Sequence, residues 1–153
     1  LEQYRGTVFR QTMFAEFEMI VHGKIGEGES LTSEVLSEIY YDLNKKYYGE
    51  DIVVDEAIAM EWARIPHFYR PFYVYKYATG FSAAISLSQQ ILKEGEPAVQ
   101  RYLEFLGGGG SDYPINLLQK AGVDMSRPEP IVQAMGLFDE LLGELEQLAA
   151  TEL

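Results

Sequence analysis

Apolar side chains recur at helical spacing along most of this chain. Phe9, Met13, Phe17, Ile20 and Val21 form one stripe at intervals of three and four, which predicts a helix from about Glu2 to Lys24. Gly23, Gly26 and Gly28 close it. Thr32 or Ser30 caps a second helix, with Glu34 and Glu38 toward its positive end. That helix carries Val35, Leu36, Ile39, Tyr40, Leu43 and Tyr47 and stops at Gly49. The β-branched run Ile52-Val53-Val54 sits in a connector and is too isolated to argue for a sheet. A third helix is predicted from about Asp55 to Arg64, ended by Pro66, because the residue before a proline is pushed out of the helical region.

Pro71 suits the first turn of a longer helix reaching about Glu94. Gly95 caps it, and Pro97 opens a further helix that ends near Leu106. The strongest breaker follows, Gly107-Gly108-Gly109-Gly110-Ser111-Asp112-Tyr113-Pro114. A short helix from Pro114 to Ala121 and a last one from the Pro128-Glu129-Pro130 turn to about Ala150 complete the pattern. No hairpin pattern is present. The predicted class is all-α, a multi-helix lobe spanning residues 1–153 as a single helical domain.

Composition narrows the possible partners. The chain has 153 residues, 47% of them hydrophobic, which is ample for a core. With 24 acidic against 12 basic residues its formal charge is −12, which argues against nucleic acid as a partner. There are no cysteines, hence no disulfide and no thiolate metal site, and a reducing, cytoplasmic location is the expectation. No apolar run is long enough to cross a membrane, and no signal peptide is recognisable. The absent initiator methionine suggests a piece of a longer protein.

Candidate chemistry gathers in the stretch Ile65-Pro66-His67-Phe68-Tyr69-Arg70-Pro71-Phe72-Tyr73-Val74-Tyr75-Lys76-Tyr77-Ala78-Thr79-Gly80. One of the chain's two histidines lies there beside four tyrosines. Imidazole and phenol groups are neutral or switchable donors, suited to a carbonyl oxygen that gains negative charge during acyl transfer. Prolines on both sides of His67 stiffen its loop. On a helix, Tyr73 and Tyr77 share a face that Gly80 and Ala84 continue, while Tyr75 points elsewhere. Such a face either lines a cleft or lets another helix pack closely; spacing leaves both open.

Other features carry less. The glycine loop lacks the Gly-Lys-Ser/Thr ending of a phosphate cradle, and a hinge or lid edge is the better reading. His22 reads as structural, and Glu16, Glu18, Glu61 and Glu140 read mostly as solvated faces. No HExxH motif occurs: Gly-Lys-Ile-Gly follows His22, and Phe-Tyr-Arg-Pro follows His67.

Four ordered segments carry a family resemblance. They are Arg5-Gly6-Thr7-Val8-Phe9-Arg10-Gln11-Thr12-Met13-Phe14-Ala15-Glu16-Phe17-Glu18, the run from Ile65 through Gly80, Gly109-Gly110-Ser111-Asp112-Tyr113-Pro114, and Ala121-Gly122-Val123-Asp124-Met125. Together they resemble the C-terminal part of oligoendopeptidase F, one of the thimet-oligopeptidase-like zinc metallopeptidases. These are mostly helical enzymes that cut short peptides inside a deep channel. The resemblance implies a zinc held by two HExxH histidines and a downstream glutamate, all N-terminal to this stretch, so this chain alone would bind no zinc and be inactive.

By the same resemblance, His67 positions substrate and stabilises the transition state, Tyr77 donates to the oxyanion, and Tyr69, Tyr73 and Tyr75 contact substrate. The implied partners are short peptides and the N-terminal, metal-bearing part of the same enzyme. Apolar surface left on a separated lobe would favour self-association. A helical peptide-binding module without catalysis, or a purely structural lobe, are the competing readings.

Overall fold

In the computed structural model, which describes residues 1–151, every regular element is helical and no strand occurs among the described residues. The α-helices are α1 (Arg10–Gly26), α2 (Ser33–Tyr48), α3 (Tyr75–Glu94), α4 (Glu96–Gly108), α5 (Pro114–Lys120) and α6 (Glu129–Thr151). A π-helical stretch, Tyr4–Phe9, leads into α1, and two 3₁₀ segments, Glu56–Arg64 and Pro66–Tyr69, lie between α2 and α3. The all-α expectation holds.

The described chain divides into two compact units, one formed by Glu2–Ala78 and the other from Thr79 onward. In the first, Met13, Phe14 and Phe17 of α1 meet Tyr40 and Leu43 of α2 around a core that also takes in Ile65 and Val74. Aromatic rings fill much of it: Phe17 meets Tyr40 edge-on at 5.4 Å, and Phe14 meets Phe68 at 5.4 Å. Thr32 caps α2, its hydroxyl accepting from the Val35 N–H. Gly49 then ends the helix at φ 79°, a conformation that suits glycine.

In the second unit, Ala83 and Leu87 of α3 pack with Ala121 and Val123, supported by Tyr102, Phe105 and Leu118. The buried Ser86 hydroxyl donates to Gln133 Oε1 at 2.8 Å, joining α3 to α6. Gly122 turns the chain at φ +93°, and its carbonyl accepts from the Gln90 side chain at 2.8 Å. The positive φ favours glycine there, and a Cβ, 2.7 Å from Gln90 Oε1, would displace the Gln90 amide.

Three elements differ from expectation. The first helix opens with a π stretch instead of α geometry, burying Tyr4 and Val8. Residues Glu56–Arg64 wind as a 3₁₀ helix capped by Asp55, whose carboxylate accepts from the Ala57 N–H. The long helix starts at Tyr75 and not at Pro71, because Phe72 takes a left-handed conformation, φ 61°, which no α-helix can continue through.

Candidate active site

His67 stands on the short 3₁₀ segment Pro66–Tyr69, and both ends of its loop are anchored in one core. Ile65, just before it, is 7% exposed, and Val74, just after it, is fully buried. Between them Phe68 packs on Phe14 and, at 5.0 Å, on Phe17. The backbone closes on itself where the Arg70 N–H donates to the His67 carbonyl at 2.9 Å. These anchors leave the imidazole half-buried with one side to solvent.

Three of the five expected site residues come together. The Tyr73 ring lies nearly parallel to the His67 imidazole, with centroids 5.9 Å apart and planes at 13°. Tyr77 meets both edge-on, at 5.8 Å from His67 and 5.6 Å from Tyr73. Its hydroxyl is 3.4 Å from His67 Nε2, a contact at the long end of the hydrogen-bond range. The neighbouring Tyr73 phenol, by hydrogen bonding, holds the Tyr77 hydroxyl above the ordinary tyrosine range, so it stays a neutral donor at neutral pH. Both tyrosines keep more than a third of their surface exposed, at 38% and 39%.

Tyr69 and Tyr75 are placed differently. The Tyr69 hydroxyl donates to the Ala63 carbonyl at 3.1 Å, which ties its 3₁₀ segment to the preceding one. Tyr75 is the first residue of α3 and is 48% exposed. Tyr73 lies before α3, so its meeting with Tyr77 comes from the turn and not from a shared helical face. Farther along α3, Gly80, Ala84, Leu87, Phe105 and Leu118 line an apolar cavity of about 470 Å³ in the second unit.

Two carboxylates that read as solvated are buried. Glu61, 7% exposed, accepts from the Tyr40 hydroxyl at 2.6 Å and from Arg10 and Arg64 at 2.7 Å each. Burial pushes its carboxyl up, but hydrogen bonds from Tyr40 and Arg10 and the two guanidinium charges outweigh this and leave it below the ordinary range. Glu18, 4% exposed, accepts from the Phe72 N–H at 3.1 Å. Burial pushes Glu18 upward, against the Phe72 hydrogen bond and the nearby His22 and His67. The ring of His22 rests on Phe72 at 4.7 Å, in keeping with a structural part.

The cluster offers hydrogen-bond donors on an exposed face, and the described residues around it supply no metal centre: no group of three or more His, Cys, Asp or Glu is arranged to hold an ion. Zinc therefore does not fit the described residues of this chain. None of the described helices is long and apolar enough to cross a membrane.

The first unit is a helical frame that presents a histidine–tyrosine cluster on an exposed face. Peptidase family M3 matches residues 1–137, and the chain belongs to that family. It is 63% identical over 148 residues to the oligopeptidase PepF of Bacillus subtilis, covering 97% of this chain and 22% of that protein. It is 48% identical over 150 residues to the group B oligopeptidase PepB of Streptococcus agalactiae, covering 98% and 25%. The crystal structure of oligoendopeptidase-F from Enterococcus faecium superposes with a TM-score of 0.93 at 50% identity, over 96% of this chain and 28% of that one. The expected likeness to oligoendopeptidase F is thus found, and the chain spans no more than 25% of the length of these two curated relatives.

The Glu61 network makes a stability prediction. Glu61→Ala strands the buried Tyr40 hydroxyl and the partly buried Arg10, and should cost about 3–5 kcal/mol in urea unfolding. Arg64→Ala, whose side chain is 78% exposed, should cost under about 1 kcal/mol. Because the folded carboxyl lies below its usual 4.5, this stability is present above that pH and drains away as pH falls below it. Equal effects of the two substitutions would show that Glu61 is not the hub.

Proposed function

We propose that this chain forms one wall of the active site of a zinc-dependent oligoendopeptidase that hydrolyses short peptides in the cytoplasm. The observation that carries the proposal is the meeting of His67, Tyr73 and Tyr77 on one exposed face. The names of the relatives support oligopeptides as the substrate class. The metal and its ligands are assigned to other segments of the same enzyme, which would be the chain's partner.

When a peptide carbonyl is attacked, its oxygen becomes anionic. The Tyr77 hydroxyl, kept protonated, turns from His67 to donate to that oxygen. The His67 imidazole donates beside it when Nε2 carries the proton. Tyr73, stacked on the imidazole, fixes the ring plane so that no rotation is needed as charge develops. Tyr69 braces the segment through Ala63, and Tyr75 is assigned to the surface that receives the peptide. Donors placed in advance for the charged state lower the barrier without tightening ground-state binding.

The kinetic test uses an oligopeptidase that carries this chain as its matching segment. Tyr77→Phe should lower kcat by roughly 10²–10³ with KM little changed, since the bond it removes forms only in the transition state. His67→Ala should lower kcat and also raise KM by loosening its loop. Tyr75→Phe should change kcat far less. A Tyr77→Phe enzyme at the parental rate with a crippled Tyr75→Phe would move the donor role to Tyr75; altered peptide binding with unaltered turnover would favour a binding module.

The separate chain provides a second test. Purified alone, it should neither cleave peptides nor take up stoichiometric zinc in titration calorimetry. Tight zinc binding at one ion per chain would contradict the assignment of the metal to other segments.

A further inference from the structure

The turn that delivers Tyr73 to His67 is strained. Phe72, at φ 61°, is the one described non-glycine residue in the left-handed region, and a bulky side chain enters that region only under constraint. Its backbone N–H does not point to a local carbonyl acceptor; it donates across 54 residues of sequence to Glu18 Oε1 at 3.1 Å. Glu18 is 4% exposed and sits in α1 beside Phe17, a core residue, so the acceptor is buried on a core helix. On the other side of the turn Val74 is fully buried. Tyr73 therefore lies between two fixed points, with its ring stacked on the imidazole.

We propose that Glu18 is a positioning residue of the site: by accepting the Phe72 N–H it holds the left-handed turn that stacks Tyr73 on His67. A carboxylate suits this task better than a neutral acceptor because a charged acceptor strengthens the bond. His22, one helical turn beyond Glu18, holds the Phe72 ring at 4.7 Å and restrains the same residue from its side chain. The proposal deepens the proposed peptidase role and rests on it for its relevance to catalysis, but its geometry is measurable without turnover.

The test is NMR on the 153-residue chain. In the unsubstituted chain the Phe72 amide should exchange slowly with solvent and resonate downfield, as an amide bonded to a buried carboxylate does. A Phe72 amide exchanging like an open turn would overturn the proposal outright, with no variant needed. Glu18→Leu fills the same buried space but accepts nothing. It should shift the His67 and Tyr73 ring resonances toward free-ring values while the methyl of Met13, fully buried in the core, stays in place.

Glu18→Gln keeps an acceptor and should hold the rings near their original positions. Adding Phe72→Gly to Glu18→Leu removes the backbone strain and should return at least part of the ring shifts, a rescue that a general loss of packing would not allow. Ring resonances unmoved by Glu18→Leu would also overturn the proposal. The kinetic result for Tyr77→Phe is independent of these shifts, so failure of the positioning role and failure of the peptidase role are told apart.

Discussion

The first unit depends on a single buried carboxylate. Glu61 satisfies its oxygens with the Tyr40 hydroxyl, Arg10 and Arg64, and so joins α1, α2 and the 3₁₀ segment that leads to His67. A charge out of water is tolerated only when its lone pairs are filled, so this arrangement admits few alternatives. Arg10 in turn lies over the Phe14 ring at 4.7 Å, tying the polar hub to the aromatic core.

From that hub the site follows by short steps. The 3₁₀ segment ends at Ile65, which enters the core, and Phe68 anchors the next turn against Phe14 and Phe17. His67 is carried between these two anchors with its ring half outside. Glu18 constrains the return turn from the opposite direction through Phe72. Rigid apolar anchors thus support exposed neutral donors, the arrangement that the proposed oxyanion-binding role requires.

The helices were legible because their causes are local. Thr32 before an apolar stripe, Gly49 and Gly95 after one, and Pro97 or Pro114 at a start all act within a turn of the chain. The late start of α3 was not legible. Pro71 favours a helix at that position, but Phe72 is left-handed and its N–H donates to Glu18, 54 residues earlier. The same limit hid the buried acids: Glu61 finds Tyr40 21 residues away and Arg10 51 residues away, distances that no periodicity reveals. The grouping of His67 with Tyr73 and Tyr77 was visible in the sequence, although its geometry arises from a turn and not from one helix face.

The central claim is that His67 and Tyr77 grip the charged oxygen of the transition state and not the resting peptide. Affinity for a tetrahedral phosphinic peptide, compared with that for an uncleaved substrate analogue, tests this most directly in an oligopeptidase carrying this chain. The account predicts that Tyr77→Phe weakens the tetrahedral inhibitor by roughly 10²–10³, in step with its loss of kcat/KM, while the substrate analogue binds as before. Unchanged affinity for the tetrahedral inhibitor, or equal weakening of both ligands, would contradict it.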